Sequence, residues 1–177
     1  MKKITTVLTK SVRTKLKCGE EVLFSGTVYT ARDAAHKKIT HLISEKKKLP
    51  LKLKDEVIYY AGPTPCRSDG VFGSCGPTTS SRMDAFSVVL IEKGLGGMIG
   101  KGRRSPEVVS SIKKHKAVYF LAVGGAGAYL AKRIKKVEVI AFQELGPEAI
   151  YRLELEDFPL IVGIDSMGNN IYSDLNS

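Results

Sequence analysis

From Met98 onward the chain alternates short apolar runs with amphipathic segments, and few folds accommodate that rhythm. Met98-Ile99 reads as a short strand ending in Gly100-Lys101-Gly102. Ser105-Pro106-Glu107 opens a helix with an N-cap serine and a proline at its first position. Ala117 to Val123 is apolar throughout, as a strand covered on both faces must be. Gly124-Gly125-Ala126-Gly127 then turns into a helix through Lys132. Val137 to Phe142 is again a strand, and Pro159 to Ile164 a last apolar one. Strands and helices joined by short connections predict a parallel sheet with helices packed against it.

The first half departs from a plain doubly wound sheet. Glu21 to Tyr29 mixes β-branched and aromatic residues in a strand-like run, and Val57 to Ala61 gives a second strand ending at Gly62-Pro63. Between them, Ala31 to Lys47 reads as a helix with apolar positions Ala35, Ile39, Leu42 and Ile43. Asp69 to Gly76 is a loop or short hairpin. It leads into a helix carrying Met83, Phe86, Val89, Leu90 and Ile91, which stops at Gly94. The 177 residues suit one domain, 1–177, with no internal repeat and no linker composition.

A formal charge of +10 is compatible with nucleic acid, an anionic membrane surface, an acidic partner subunit or small anionic substrates. Much of the excess lies in Lys37-Lys38, Lys46-Lys47-Lys48, Lys113-Lys114-His115-Lys116 and Lys132-Arg133-Ile134-Lys135-Lys136. These clusters fall at the ends of the expected helices, where cations oppose the negative dipole end. Aromatics make up 7% of the chain, Trp is absent, and none interleaves the basic runs, which argues against a single-strand stacking platform. No apolar run approaches the roughly 20 residues of a transmembrane helix. Met1-Lys2-Lys3-Ile4 leads into no signal-peptide apolar segment, so the expectation is a cytoplasmic protein. Cys18, Cys66 and Cys75 form no CxxC and have no histidines at metal-ligand spacing; they are expected to be reduced, structural and without a metal of their own.

Three segments carry cations to expected element ends. Gly76-Pro77-Thr78-Thr79-Ser80-Ser81-Arg82-Met83-Asp84 reads as a turn, an N-cap threonine and the first turns of a helix, with free amides pointing outward and Arg82 one turn on from Thr78. Arg32 and His36 stand four apart at a helix start that follows a strand. Lys101 lies between Gly100 and Gly102, where no neighbouring Cβ obstructs a ligand, at the carboxyl end of a strand. Gly124 to Ala128 fails the GxGxxG spacing and points to tight helix-to-strand packing. There is no GxxxxGK[ST], GxSxG or HExxH, and no carboxylate pair suited to acid–base work. Cations, hydroxyls and helix starts without a strong base or a metal make half of an active site.

Five segments in order carry a resemblance: Thr30-Ala31-Arg32-Asp33-Ala34-Ala35-His36-Lys37, Tyr60-Ala61-Gly62-Pro63, Gly76 to Asp84, Gly100-Lys101-Gly102 and Glu144-Leu145-Gly146-Pro147-Glu148-Ala149. Together they resemble the β subunit, or C-terminal domain, of the iron–sulfur class I fumarate hydratases and L-tartrate dehydratases. The resemblance runs from the strand before Arg32 to the strand after Pro159. It implies an α/β fold, a three-layer swivelling β/β/α domain, and a [4Fe–4S] cluster held by cysteines of a partner α subunit. It further implies a hydro-lyase that is inactive without that subunit, in a heterodimer that dimerises further. Arg32, Thr78, Thr79, Arg82 and Lys101 then bind a substrate dicarboxylate. Thr78 is then the catalytic residue, its hydroxyl close to the reacting carbons and able to relay the proton if a carboxylate from the partner activates it, while His36, Asp84 and Gly100 give support. Arg82-Met83-Asp84 and Ala34-Ala35-His36 look more like the fumarase form of these motifs than the tartrate dehydratase form. Gly124-Gly125-Ala126 stands where many members have a Cys-Gly pair.

Overall fold

The computed structural model describes residues 1–65, 68, 70, 72–123 and 125–173. Among them seven strands form one mixed sheet: β1 (Lys2–Thr5), β2 (Glu21–Thr30), β3 (Val57–Tyr59), β4 (Gly97–Gly100), β5 (Val118–Leu121), β6 (Ile134–Ala141) and β7 (Ile150–Ile164). β2, β3, β4 and β5 run parallel in sequence order, and β7 runs antiparallel to β5. The other edge of β7 pairs with β2 from Glu21↔Ile161 to Tyr29↔Arg152, which closes β2-β3-β4-β5-β7 into a small barrel. β1 pairs with the first half of β2, and β6 with the first half of β7. The helices are α1 (Lys10–Arg13), α2 (Asp33–Ser44), α3 (Asp84–Glu92), α4 (Pro106–His115) and α5 (Gly127–Ala131).

Side-chain alternation on the short parallel strands explains why they are apolar at every position. Val57, Tyr59, Ile99, Val118 and Phe120 join Val22, Phe24, Val28, Leu153, Phe158 and Val162 in one core cluster, contributed by all five strands of the ring. Their neighbours Ile58, Tyr60, Met98 and Tyr119 belong to a second cluster with Ala35 and Ile39 of α2, Leu90 and Ile91 of α3, and Val108 and Ile112 of α4. With a period of two, each strand feeds both clusters, and its sequence reads as an unbroken apolar run.

Several expectations are corrected. The sheet is not purely parallel, because β6 and β7 run antiparallel to their neighbours. The last strand begins at Ile150, not Pro159: Arg152 and Glu154 interrupt its apolar pattern while their backbones pair with β2 and β6, and Glu156 falls in the break in register opposite Phe24 and Gly26. β1 and α1 were not anticipated, being four residues each and largely polar. Lys37 and Lys38 lie inside α2 rather than at its end, and Lys135 and Lys136 belong to β6. Lys113, Lys114 and His115 occupy the last turn of α4, Lys46 to Lys48 follow the end of α2, and Lys132 is the C-cap of α5, as expected. Cys66 and Gly124 lie outside the described residues. Among those described, no helix is long and apolar enough to cross a membrane.

Candidate functional site

The carboxyl ends of β2, β3 and β4 meet along one edge of the sheet, the edge where ligands bind in open α/β sheets. Arg32 follows β2, Gly62 follows β3 and Lys101 follows β4. Backbone pairings knit these ends to the segment before α3: Ala61 bridges Pro77 and Thr79 bridges Lys101. The sequence-predicted cations and threonines therefore lie on one contiguous strip.

Arg32 occupies the N-cap position of α2 in extended conformation. Its guanidinium passes over Gly62, where any Cβ would overlap Nη1. Gly62 is thus the space through which Arg32 reaches the edge. The Arg32 Nε is buried without a hydrogen-bond acceptor, and its nearest carboxylate oxygen, Glu148 Oε1, lies 4.0 Å away. A desolvated guanidinium N–H lacking an acceptor costs free energy, and a bound anion would recover it. Arg82 is half exposed and donates from Nη2 to Asp33 Oδ2 at 2.8 Å, so Asp33 pairs with Arg82 and not with the adjacent Arg32. Lys101 and Thr79 are exposed.

His36 does not share an anion face with Arg32. It is fully buried, and its Nδ1 lies 2.7 Å from the Arg32 carbonyl oxygen, which can only accept; Nδ1 therefore carries the proton. The ring packs edge-on against Tyr60 and tilted against Phe86. Burial drives its pKa down to about 4, so it is a neutral prop for the α2 entrance.

The Gly76–Asp84 segment differs from its sequence reading. A single 3₁₀ turn, Ser80–Met83, precedes α3, and Thr78 lies before it rather than one helical turn below Arg82. Both the Thr78 amide and Oγ1 donate to the Tyr60 carbonyl, at 2.8 and 3.0 Å. The Ser80 amide donates to the Lys101 carbonyl at 3.0 Å. These helix-start amides are spent on the neighbouring strand ends and are not free for a ligand. Thr79 stands at the cap position, yet its side chain makes no capping bond. What Thr78 offers outward is the lone-pair side of its hydroxyl.

Gly100 also has a different use. A Cβ there would overlap Ser80 Oγ and press on the Tyr60 ring, so the missing side chain makes room for Ser80 rather than for a ligand. Gly102, with φ +80°, is the position in this turn that needs glycine's freedom. Gly127, at the start of α5, abuts Gly76 and Ser74, and its carbonyl accepts the Cys75 amide at 3.1 Å. Gly127 thus buttresses the site segment by close packing.

Sequence reasoning missed the buried polar cluster behind the edge. The Arg104 side chain is wholly enclosed; its Nε donates to Asp84 Oδ1 at 2.6 Å and its Nη2 to Ser87 Oγ at 2.6 Å. Its guanidinium stacks over Tyr119 and Tyr60 at 4.9 and 5.3 Å from the ring centroids. Asp84 Oδ2 accepts the Ser105 amide at 2.8 Å, which makes Asp84 a brace between α3 and the segment before α4. A tyrosine inside an otherwise apolar strand run was the available signal, since a buried phenol needs a partner.

Among the described residues no group of three metal-ligating side chains is assembled. The Cys75 thiol is buried and pushed up to about 12, while Cys18 Sγ lies 3.5 Å from the Gly163 carbonyl oxygen. A protonated core thiol is no iron ligand, so Cys75 does not fit an iron–sulfur cluster.

A mixed α/β chain thus gathers two guanidiniums, an ammonium and threonine hydroxyls at its strand ends, and this edge is the candidate anion-binding wall. The chain belongs to the fumarase C-terminus family, whose model matches residues 2–175. It is 43% identical over 158 residues to fumarate hydratase 2 of Leishmania major, covering 88% of this chain and 28% of that one. It is 42% identical over 154 residues to the anaerobic class I fumarate hydratase of Escherichia coli, covering 85% and 28%. Against the Methanocaldococcus jannaschii protein assigned as an L(+)-tartrate dehydratase subunit beta, it is 41% identical over 175 residues, 96% of this chain and 90% of that one. The chain therefore spans under a third of these two fumarate hydratases and nearly all of the tartrate dehydratase subunit.

Proposed function

We propose that this chain is the β component of a cytoplasmic hydro-lyase that adds water reversibly to fumarate to give L-malate. In this reading its single domain, 1–177, is a swivelling β/β/α unit that docks on a cluster-bearing α subunit to complete the active site. The observation that carries the proposal is the buried, acceptorless Nε of Arg32 on an edge it shares with Thr78, Arg82 and Lys101. Two forked guanidiniums and a lysine point charge match two carboxylates. Gly62 and His36 hold Arg32 in place, Asp33 holds Arg82, and Thr79 bridges to Lys101. The Thr78 hydroxyl, its proton committed to Tyr60, accepts a hydrogen bond from the reacting hydroxyl or water. Cations beside the carboxylate also stabilise the charge that accumulates on it when the adjacent carbon loses its proton. In this reading the [4Fe–4S] cluster of the resemblance is held by the partner α subunit.

The same wall fits L-tartrate, and the near full-length match to a subunit assigned to tartrate dehydration keeps that substrate as the second reading. The test is Arg82→Lys in the assembled enzyme, assayed anaerobically on fumarate and on tartrate. Arg82 is half exposed and paired only at the surface, so the fold stays intact. A lysine cannot make the bidentate contact, and about a hundredfold loss in kcat/KM is expected on the true substrate. Near-normal turnover would remove Arg82 from the site.

A further inference from the structure

We infer that Ser80 is a positioning residue for Lys101, acting from beneath the site through a closed set of hydrogen bonds. The inference rests on the proposal that Lys101 binds substrate. Ser80 is fully buried and grips both backbone polar groups of Lys101: its amide donates to the Lys101 carbonyl at 3.0 Å, and its Oγ accepts the Lys101 amide at 3.1 Å. The Tyr119 hydroxyl touches Ser80 Oγ at 2.9 Å and the Gly102 carbonyl at 3.0 Å. Gly102 O only accepts, so it takes the Tyr119 proton, and the Ser80 hydroxyl proton closes the Ser80–Tyr119 contact. The set thus runs Lys101 N–H to Ser80 O–H to Tyr119 O–H to Gly102 C=O, and both residues of the Lys101-Gly102 turn are pinned from below. Gly100 leaves the space that Ser80 fills, and Arg104 stacked on Tyr119 holds the phenol ring.

A flexible lysine stem leaves its ammonium free to wander, so the backbone's fixed position decides where that charge is centred. Displacement of a substrate-positioning group by about an ångström costs on the order of a hundredfold in rate. Removing the Ser80 hydroxyl frees the Lys101 amide and orphans the Tyr119 contact, which allows that displacement without deleting any group that touches substrate.

The test is an epistasis measurement on the assembled enzyme with Ser80→Ala, Lys101→Met and the double variant, together with amide hydrogen exchange of Lys101 in the chain itself. Lys101→Met raises KM for the dicarboxylate about tenfold or more, Ser80→Ala does so to a lesser extent, and the double variant is no worse than Lys101→Met. Exchange at the Lys101 amide accelerates about tenfold in Ser80→Ala. If the two substitutions add, Ser80 acts on stability and not through Lys101, and the inference falls. If Lys101→Met leaves KM and kcat unchanged, the placement of Lys101 in the site falls first and takes the inference with it. Should Ser80→Ala not fold, Tyr119→Phe removes one hydroxyl and keeps Ser80 Oγ; the same lack of additivity with Lys101→Met is expected, and additivity overturns the proposal.

Discussion

His36 is a residue through which acid reaches this fold. Its imidazole is enclosed by Tyr60 and Phe86, and Nδ1 donates to the Arg32 carbonyl. Burial holds the folded pKa near 4, against an unfolded value of about 6.5. Between those values the unfolded chain binds the proton and the folded one does not, so stability rises with pH and falls on acidification from about 6.5 to about 4. The full change is worth about 3 kcal/mol. His36→Gln keeps a polar side chain without titrating, and it is expected to flatten the stability-against-pH curve in that window, as read from urea midpoints. An unchanged slope would show that other groups set the acid response. Residue types at this scale were partly legible: Arg32, Thr78 and Lys101 stand beside strand ends that could be read from the sequence. Asp33 pairing with Arg82, and Gly62 opposite Arg32, could not be read, because both are contacts between segments distant in sequence.

At the scale of elements, Arg104 and Asp84 join α3 to the segment entering α4 through the Nε–Oδ1 bond of 2.6 Å and the Ser105 amide. The two partners are not equally buried: the Arg104 side chain is fully enclosed and that of Asp84 is 13% exposed. Removing Asp84 leaves an uncompensated cation in the core. Asp84→Ala is therefore expected to cost about 3–5 kcal/mol. Arg104→Met costs less, since the remaining carboxylate keeps the Ser105 amide, some water and the favourable end of the α3 dipole. Equilibrium unfolding in urea orders the two, and a larger loss for Arg104→Met would refute the burial argument. Local chemistry made several elements readable: Ser105 caps α4, its oxygen accepting the Val108 amide, and β2, β3 and β5 follow their apolar runs. β7 was half missed for a physical reason. Strand pairing is satisfied by backbone, and the exposed charges along Arg152–Glu156 reflect what the side chains face, not whether the backbone pairs.

At the scale of the whole molecule, the ring β2-β3-β4-β5-β7 fixes the relative heights of Arg32, Gly62 and Lys101, because each follows a strand hydrogen-bonded to the next. Ring closure depends on β2 meeting β7 across more than a hundred residues, a pairing no local pattern announces. The rigid frame presents its cations outward: Arg82 is 52% exposed at its side chain, and Lys101 is exposed. Ion pairing with a dicarboxylate at such positions is weak in water and strong only once water is excluded. In the proposed reading the described residues supply one wall, and the partner's surface covers the edge. Anaerobic fumarate hydration by this chain, by the cluster-bearing chain and by their mixture is the direct measure. The mixture is expected to be active, with each component alone at least about a hundredfold slower, the scale of rate lost when a positioned charge is returned to solvent. Full activity from this chain alone would mean that its own edge excludes water well enough, and the two-component reading would have to be abandoned.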